Sequence, residues 1–231
     1  MSIYRLLIHL PLLLIFTACA TITTNPPVSF RPGAVVETIS SPVSLSIHAS
    51  EGSTGGRGYL VFRRPDQLHL VVLSPFGTTM MEAFALGDRI TLIYPSRSTA
   101  YVGRFDELPD KGGLQGWRLM RWVMDADPSE GIPLSETVKR IGKLGFSEKV
   151  TFENGLITSK ESSAGDHVYY SMYQAVDGVP FATELEMRSG LDDRIRITLN
   201  EPEINTPLDD AVFAPQLDGL TILPLSAIKG L

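Results

Sequence analysis

Two series of short segments in which apolar and polar residues alternate, separated by one amphipathic stretch, restrict this chain to a sheet architecture with a helix between its two halves. In the first series Val43, Leu45 and Ile47 alternate with Ser44, Ser46 and His48, the period of two of a strand with one buried face. Strand patterns at 59–62, 68–73, 79–86, 90–94 and 99–103 follow. Arg64-Pro65-Asp66, Ser74-Pro75-Phe76-Gly77, Gly87-Asp88 and Pro95-Ser96 divide them, all of them good turn chemistry. Gly52 to Gly58 reads as a turn-rich break. In the second series, 149–153 and 156–160 flank Asn154-Gly155, the strongest short-range hairpin signal. Segments 167–174, 181–187 and 194–200 come next, joined at Asp177-Gly178 and around Gly190. Ile195, Ile197 and Leu199 again alternate with polar neighbours, so one face is dry and the other wet.

The intervening stretch predicts a helix over Leu114 to Asp125, begun after Gly112-Gly113 and ended before Pro128. On a helical wheel Trp117, Leu119, Met120, Val123 and Met124 fall within an arc of roughly 160°, with Trp122 on the polar side. By periodicity alone this face either fills an ordinary core or lines a cavity. A second short helix is expected near Ser135 to Ile141, a short helix or turn at 34–39, and a single helical turn in 207–213 that buries Phe213. The expected fold is mainly β (α+β): an incomplete antiparallel half-barrel of ten to eleven strands with a helical lid.

The N-terminus carries a different message. Arg5, an apolar run from Leu6, and small residues around Cys19, the chain's single cysteine, form a secretory signal. The run is interrupted by Pro11 and is shorter than the ~20 residues a spanning helix needs. Phe16-Thr17-Ala18-Cys19 resembles a bacterial lipobox, which implies signal removal at residues 1–18 and lipidation of Cys19 with diacylglycerol and a fatty acyl group such as palmitate. Ala20, rather than Asp, after the cysteine implies the outer membrane by the sorting rule of such lipoproteins. Residues 19–34, rich in Thr, Asn and Pro, read as a lipidated flexible tether, leaving 35–231 as the folded body.

The net charge of −6 makes the chain a poor nucleic-acid ligand, since phosphate contact needs clustered Lys and Arg. The sequence lacks a Gly-x-Ser-x-Gly elbow, His-Glu-x-x-His, a Walker loop and Gly-x-Gly-x-x-Gly. His48, His69 and His167 are scattered among strand patterns without ligand spacing, so no metal or cofactor is expected. Glu82, Glu153, Glu184 and Glu186 could supply a carboxylate pair, but a solvated sheet face accounts for them.

Three segments carry a family resemblance. Leu68-His69-Leu70-Val71-Val72-Leu73-Ser74-Pro75-Phe76-Gly77-Thr78-Thr79 is similar to a strand ending in a Pro-apolar-Gly loop. Leu119 to Pro128 is similar to a Leu-x-x-Trp-apolar-apolar-Gly-x-Pro helix, with Asp125 where Gly is frequent. The lipobox followed by a strand-rich body completes the set. Together they resemble the LolA/LolB-like periplasmic lipoprotein carriers, most closely the outer-membrane LolB branch. The resemblance implies a half-barrel enclosing an apolar cavity, anchored in the outer membrane and facing the periplasm. Such a protein receives a lipoprotein from a soluble periplasmic carrier and helps insert it into the outer membrane. It implies no catalysis, a monomer, and acyl chains of lipoproteins or phospholipid as the bound species. It also implies a membrane-inserting loop at Pro75, Phe76 and Gly77, and a cavity lid formed by Trp117, Met120, Val123 and Met124. From the residues alone, Phe76 could equally fold back into the core. Two rivals are a structural lipoprotein of the same fold with a self-filled interior, and an anchored hydrolase using cleft carboxylates.

Overall fold

The computed structural model describes residues 28–49, 52–109, 114–130, 132, 134–190 and 193–228. Cys19, the apolar run before it and the first part of the expected tether lie outside them. The first meander comprises β1 (Thr38–Ala49), β2 (Gly52–Arg63), β3 (Gln67–Leu73), β4 (Thr79–Leu86), β5 (Arg89–Tyr94) and β6 (Thr99–Arg104). Helix α1 (Gln115–Val123) follows. The second meander comprises β7 (Thr137–Ile141), β8 (Ser147–Glu153), β9 (Leu156–Ser162), β10 (His167–Val176), β11 (Val179–Arg188) and β12 (Arg194–Leu199). Two short strands, β13 (Glu203–Ile204) and β14 (Thr221–Pro224), complete the sheet.

All fourteen strands belong to one open sheet in the order β14-β6-β5-β4-β3-β2-β1-β12-β11-β10-β9-β8-β7, with β13 beside β1. The meanders join edge to edge where β1 runs antiparallel to β12, Val43 opposite Leu199 and Ile47 opposite Ile195. Every path neighbour pairs antiparallel except β14, which runs parallel to β6. Tight turns set the registers. Asn154 and Gly155, at φ 51° and 82°, form the two-residue link between β8 and β9, the backbone that favours Asn-Gly in hairpins.

The sheet curls around α1. Met120, Trp122 and Val123 share one buried cluster with Leu60 and Ala85 of the first meander and with Val150, Ile157 and Val168 of the second. On the opposite face the C-terminal segment covers β4–β6, where Leu217 and Leu220 pack on Phe84, Ile93 and Ala100. Phe213 is buried at the end of a 3-10 turn, Asp210–Phe213. Val28, Phe30 and Ala34, within the expected tether, pack against the main core, and the Arg31 amide donates to the Gly178 carbonyl at 2.9 Å.

Several expectations are corrected. Among the described residues the strands number fourteen, because β7, β13 and β14 add to the eleven read from alternation. The expected helix at Ser135–Ile141 is β7, an edge strand paired to β8 from Thr137 opposite Thr151 to Ile141 opposite Ser147. Its helical spacing misled because an edge strand with both faces half-wet has no clean period of two. Gly52 to Gly58 is no break: it is the first half of β2, paired throughout with β1. Residues 34–37 are extended and lead directly into β1. Helix α1 runs over nine residues, Gln115–Val123, inside the expected span Leu114 to Asp125.

Candidate functional site

Between α1 and the inner face of the sheet lies an apolar cavity of about 460 Å³. Its walls come from alternate positions of five strands: Leu45 and Ile47, Leu70 and Val72, Met81, Met187, and Ile195 and Ile197. Trp117 and Met120 of α1 close it from above. Two of its lining glycines have different effects. Gly56 of β2 lies opposite Leu45 and forms part of the wall. Gly116 of α1 approaches β12 so closely that a Cβ would stand 2.0 Å from Ile195 Cδ1. In a close-packed interior a space of this size is rare unless something occupies it in use.

The cavity reaches the surface at one end of the sheet. Its exposed lining residues are Thr54, Gly55, Thr78, Met80, Ser96 and Arg97, from the turn ends of β1–β2, β3–β4 and β5–β6. The β3–β4 turn carries Phe76, whose side chain is 94% exposed. This turn is tightly tied. The Gly77 amide donates to the Ser74 carbonyl at 2.9 Å, Ser74 Oγ accepts from the amides of Phe76 and Thr78, and Gly77 sits at φ 81°. A rigid turn thus holds an aromatic ring in solvent beside the mouth of an apolar space. Exposed apolar groups of this kind mark contact sites.

The four lid residues divide between two places. Trp117 and Met120 line the cavity, whereas Val123 and Met124 line a separate cleft of about 40 Å³ with Phe62, Phe181 and Leu185. Trp122, placed on the polar side of the wheel, is only 1% exposed. The wheel assumes one buried face, and α1 is gripped from two. Trp122 points at β8 and β9, where its Nε1 donates to the buried carboxylate of Glu148. Lys160, with no exposed side chain, donates from Nζ to the carbonyls of Trp122 (2.8 Å) and Asp125 (2.9 Å). A cation thus satisfies the carbonyls at the helix C-terminus, where the helix dipole favours positive charge. Asp125, Arg140, Lys143 and Asp127 extend the network.

The remaining candidates lie elsewhere. Glu82 meets His69 at 3.3 Å, and His69 stacks on Phe84 beneath the C-terminal segment. Burial holds the His69 pKa below its ordinary value, outweighing its bond with Glu82. Glu186 pairs with Arg188 and Arg196, and Glu184 accepts from Ser171 Oγ at 3.4 Å. None of Glu82, Glu153, Glu184 and Glu186 lines the cavity. Among the described residues no three His, Cys, Asp or Glu side chains cluster as metal ligands. Among the same residues, no helix is long and apolar enough to cross a membrane.

Sequence reasoning missed Gly56, Gly116, Tyr94 and Arg97 as cavity residues. The signal for Gly56 was present: Gly56, Gly58, Leu60 and Phe62 share one parity, so the alternation continues through the glycines. Arg97 has no such signal, since it reaches the cavity only through the turn geometry after β5.

No protein-family model matches the sequence, and no curated protein sequence matches it. Solved structures do share its fold. A DUF1329 family protein from Desulfovibrio piger superposes with a TM-score of 0.57 at 12% identity, covering 78% of this chain and 90% of the other. A domain described as an outer membrane lipoprotein-sorting protein, from Vibrio parahaemolyticus, gives 0.55 at 10% identity over 76% and 88%. A LolA superfamily protein from Nitrosomonas europaea gives 0.51 at 12% identity over 78% and 90%. At these identities the likeness is one of fold: a curved, mostly antiparallel sheet of LolA type.

Proposed function

We propose that this protein is a LolB-like acceptor, anchored to the outer membrane through a lipidated Cys19 and facing the periplasm, that takes acyl chains into the cavity beneath α1 and helps place them in the membrane. The observation that carries this reading is the apolar cavity opening beside an exposed, rigidly held Phe76. The LolA-type fold supports it, as does the description of the Vibrio neighbour as a lipoprotein-sorting protein.

The energetics explain why such a cavity is needed. Three acyl chains hold on the order of 40 methylenes, and exposing them to water would cost roughly 30 kcal/mol at about 0.8 each. Passage between a carrier, this protein and a bilayer therefore requires continuous apolar cover and no chemical step. The cavity's 460 Å³ is about three times the ~150 Å³ that admits benzene, so it shelters one long chain. The remaining chains of a lipoprotein would be covered at the mouth, by the donor or by the bilayer.

Phe76→Glu tests the transfer role. A charge at a fully exposed turn leaves folding intact, because the ring packs on nothing. Binding of a fluorescent acyl probe should be retained, while release of bound cargo to liposomes should fall at least about tenfold. Transfer at the wild-type rate would remove Phe76 from the mechanism, and failure of the wild type to bind any acyl probe would remove the carrier role itself.

A further inference from the structure

The cavity's lining is apolar apart from Thr54, Thr78 and Thr79 and a corner formed by Tyr94, Ser96 and Arg97. Arg97 is its one charged residue among the described residues, and no carboxylate accompanies it there. Its guanidinium lies 5.4 Å from the centre of the Tyr94 ring and has no ion-pair partner among the described residues. Tyr94 lies beside it, with its hydroxyl buried and without a hydrogen-bond partner among the described residues. Burial raises the Tyr94 pKa to about 12, so the phenol stays protonated. That oxygen has almost no accessible surface, so it does not itself face the cavity, which leaves Arg97 as the group that can answer a charged ligand. Ser96 lies between the two in sequence and also lines the space.

Resting on the carrier reading, we propose that the cavity's preferred ligand is an anionic amphiphile: an acyl chain in the apolar interior and a carboxylate or phosphate head held by Arg97 at the mouth. The polar corner lies on the same sheet end as Phe76 and Met80, so the head would stay at the surface while the chain lies under Trp117. A guanidinium binds carboxylate and phosphate through paired donors, and an ester offers no charge for it to answer.

The test compares three probes on the purified protein: a fluorescent long-chain fatty acid, its methyl ester, and a lysophosphatidylglycerol of the same chain length. The acid and the phospholipid should bind about tenfold more tightly than the ester. In Arg97→Gln this ratio should fall towards one, and in Arg97→Lys much of it should return. Tighter binding of the phosphate head identifies a phospholipid source, and tighter binding of the carboxylate a free fatty acid. Equal binding of acid and ester by the wild type overturns the proposal and leaves the carrier reading standing, as does an unchanged ratio in a folded Arg97→Gln. If no probe binds, both fall together. The wild-type comparison needs no variant, so a misfolded Arg97→Gln does not blunt the test.

Discussion

A lysine with none of its side chain in water survives only if its ammonium is answered on several sides. Lys160 meets two carbonyls at the end of α1, lies 3.4 Å from Glu148 Oε2, and sits 5.1 Å from the centre of the Trp122 ring. Even so, burial outweighs Asp125 and Glu148 and lowers its pKa. Removing the cation would strand the buried Glu148 and Asp125 with Arg140 and Lys143 as their remaining cations. Lys160→Met, which keeps most of the volume, should therefore cost about 3 kcal/mol or more, read from urea unfolding. A loss below about 1 kcal/mol would mean that the ion network contributes nothing net. This cluster was not legible in the sequence. Glu148 falls outside the strand pattern at 149–153, nothing in the pattern at 156–160 marks Lys160 as buried, and only the path of α1 across β8 and β9 dries them. Phe76, by contrast, was legible as a loop-tip residue, because Pro75 and Gly77 fix the turn whatever the tertiary context.

Among the elements, those with strong local chemistry were read correctly and those shaped by neighbours were not. The β8–β9 and β10–β11 hairpins follow from Asn154-Gly155 and Asp177-Gly178, whose positive φ angles the turns demand. Strand β2 follows from pairing instead. Its glycines have weak strand preference, yet β1 pairs with all of them and β3 joins from Arg57 onward, imposing the ladder. Gly55 and Gly56 line the cavity that Trp117 closes, so a side chain at Gly56 would compete with a ligand for that space. Gly56→Val tests this. A Cβ there would lie 3.1 Å from the Leu73 carbonyl oxygen, tight but tolerable with a small shift, and valine favours strands. The variant should fold, with a thermal midpoint within a few degrees of wild type. Acyl-probe affinity should fall about tenfold as the branched side chain takes ligand space. Unchanged affinity in a folded variant would place the bound chain elsewhere.

At the scale of the whole molecule, the two meanders share one backbone seam, β1 with β12, and a second connection made of charge. Arg64, in the β2–β3 turn, donates to Asp127 Oδ2 at 3.1 Å, and Lys143, just after β7, reaches the same carboxylate. Asp127 thus ties the first meander to the segment that follows α1 and to the far edge of the sheet. Burial alone would raise its pKa, but the bonds from Arg64 and Lys143 outweigh it and lower the value. The sign follows. A carboxyl whose folded pKa is depressed binds fewer protons in the native state, so its contribution to stability is full above the unfolded value of about 3.9 and is lost as pH falls through the folded value. Arg64 and Lys143 stay charged throughout that range, since their pKa values are raised. Asp127→Asn keeps the shape and removes the titration. Wild type should be the more stable protein at neutral pH, and the difference between the two urea midpoints should narrow as pH drops from about 5 to about 3. A gap that stays constant over that range would show that Asp127 is as easily protonated in the folded protein as in the unfolded chain, and that its bonds to Arg64 and Lys143 add nothing to the joining of the two halves.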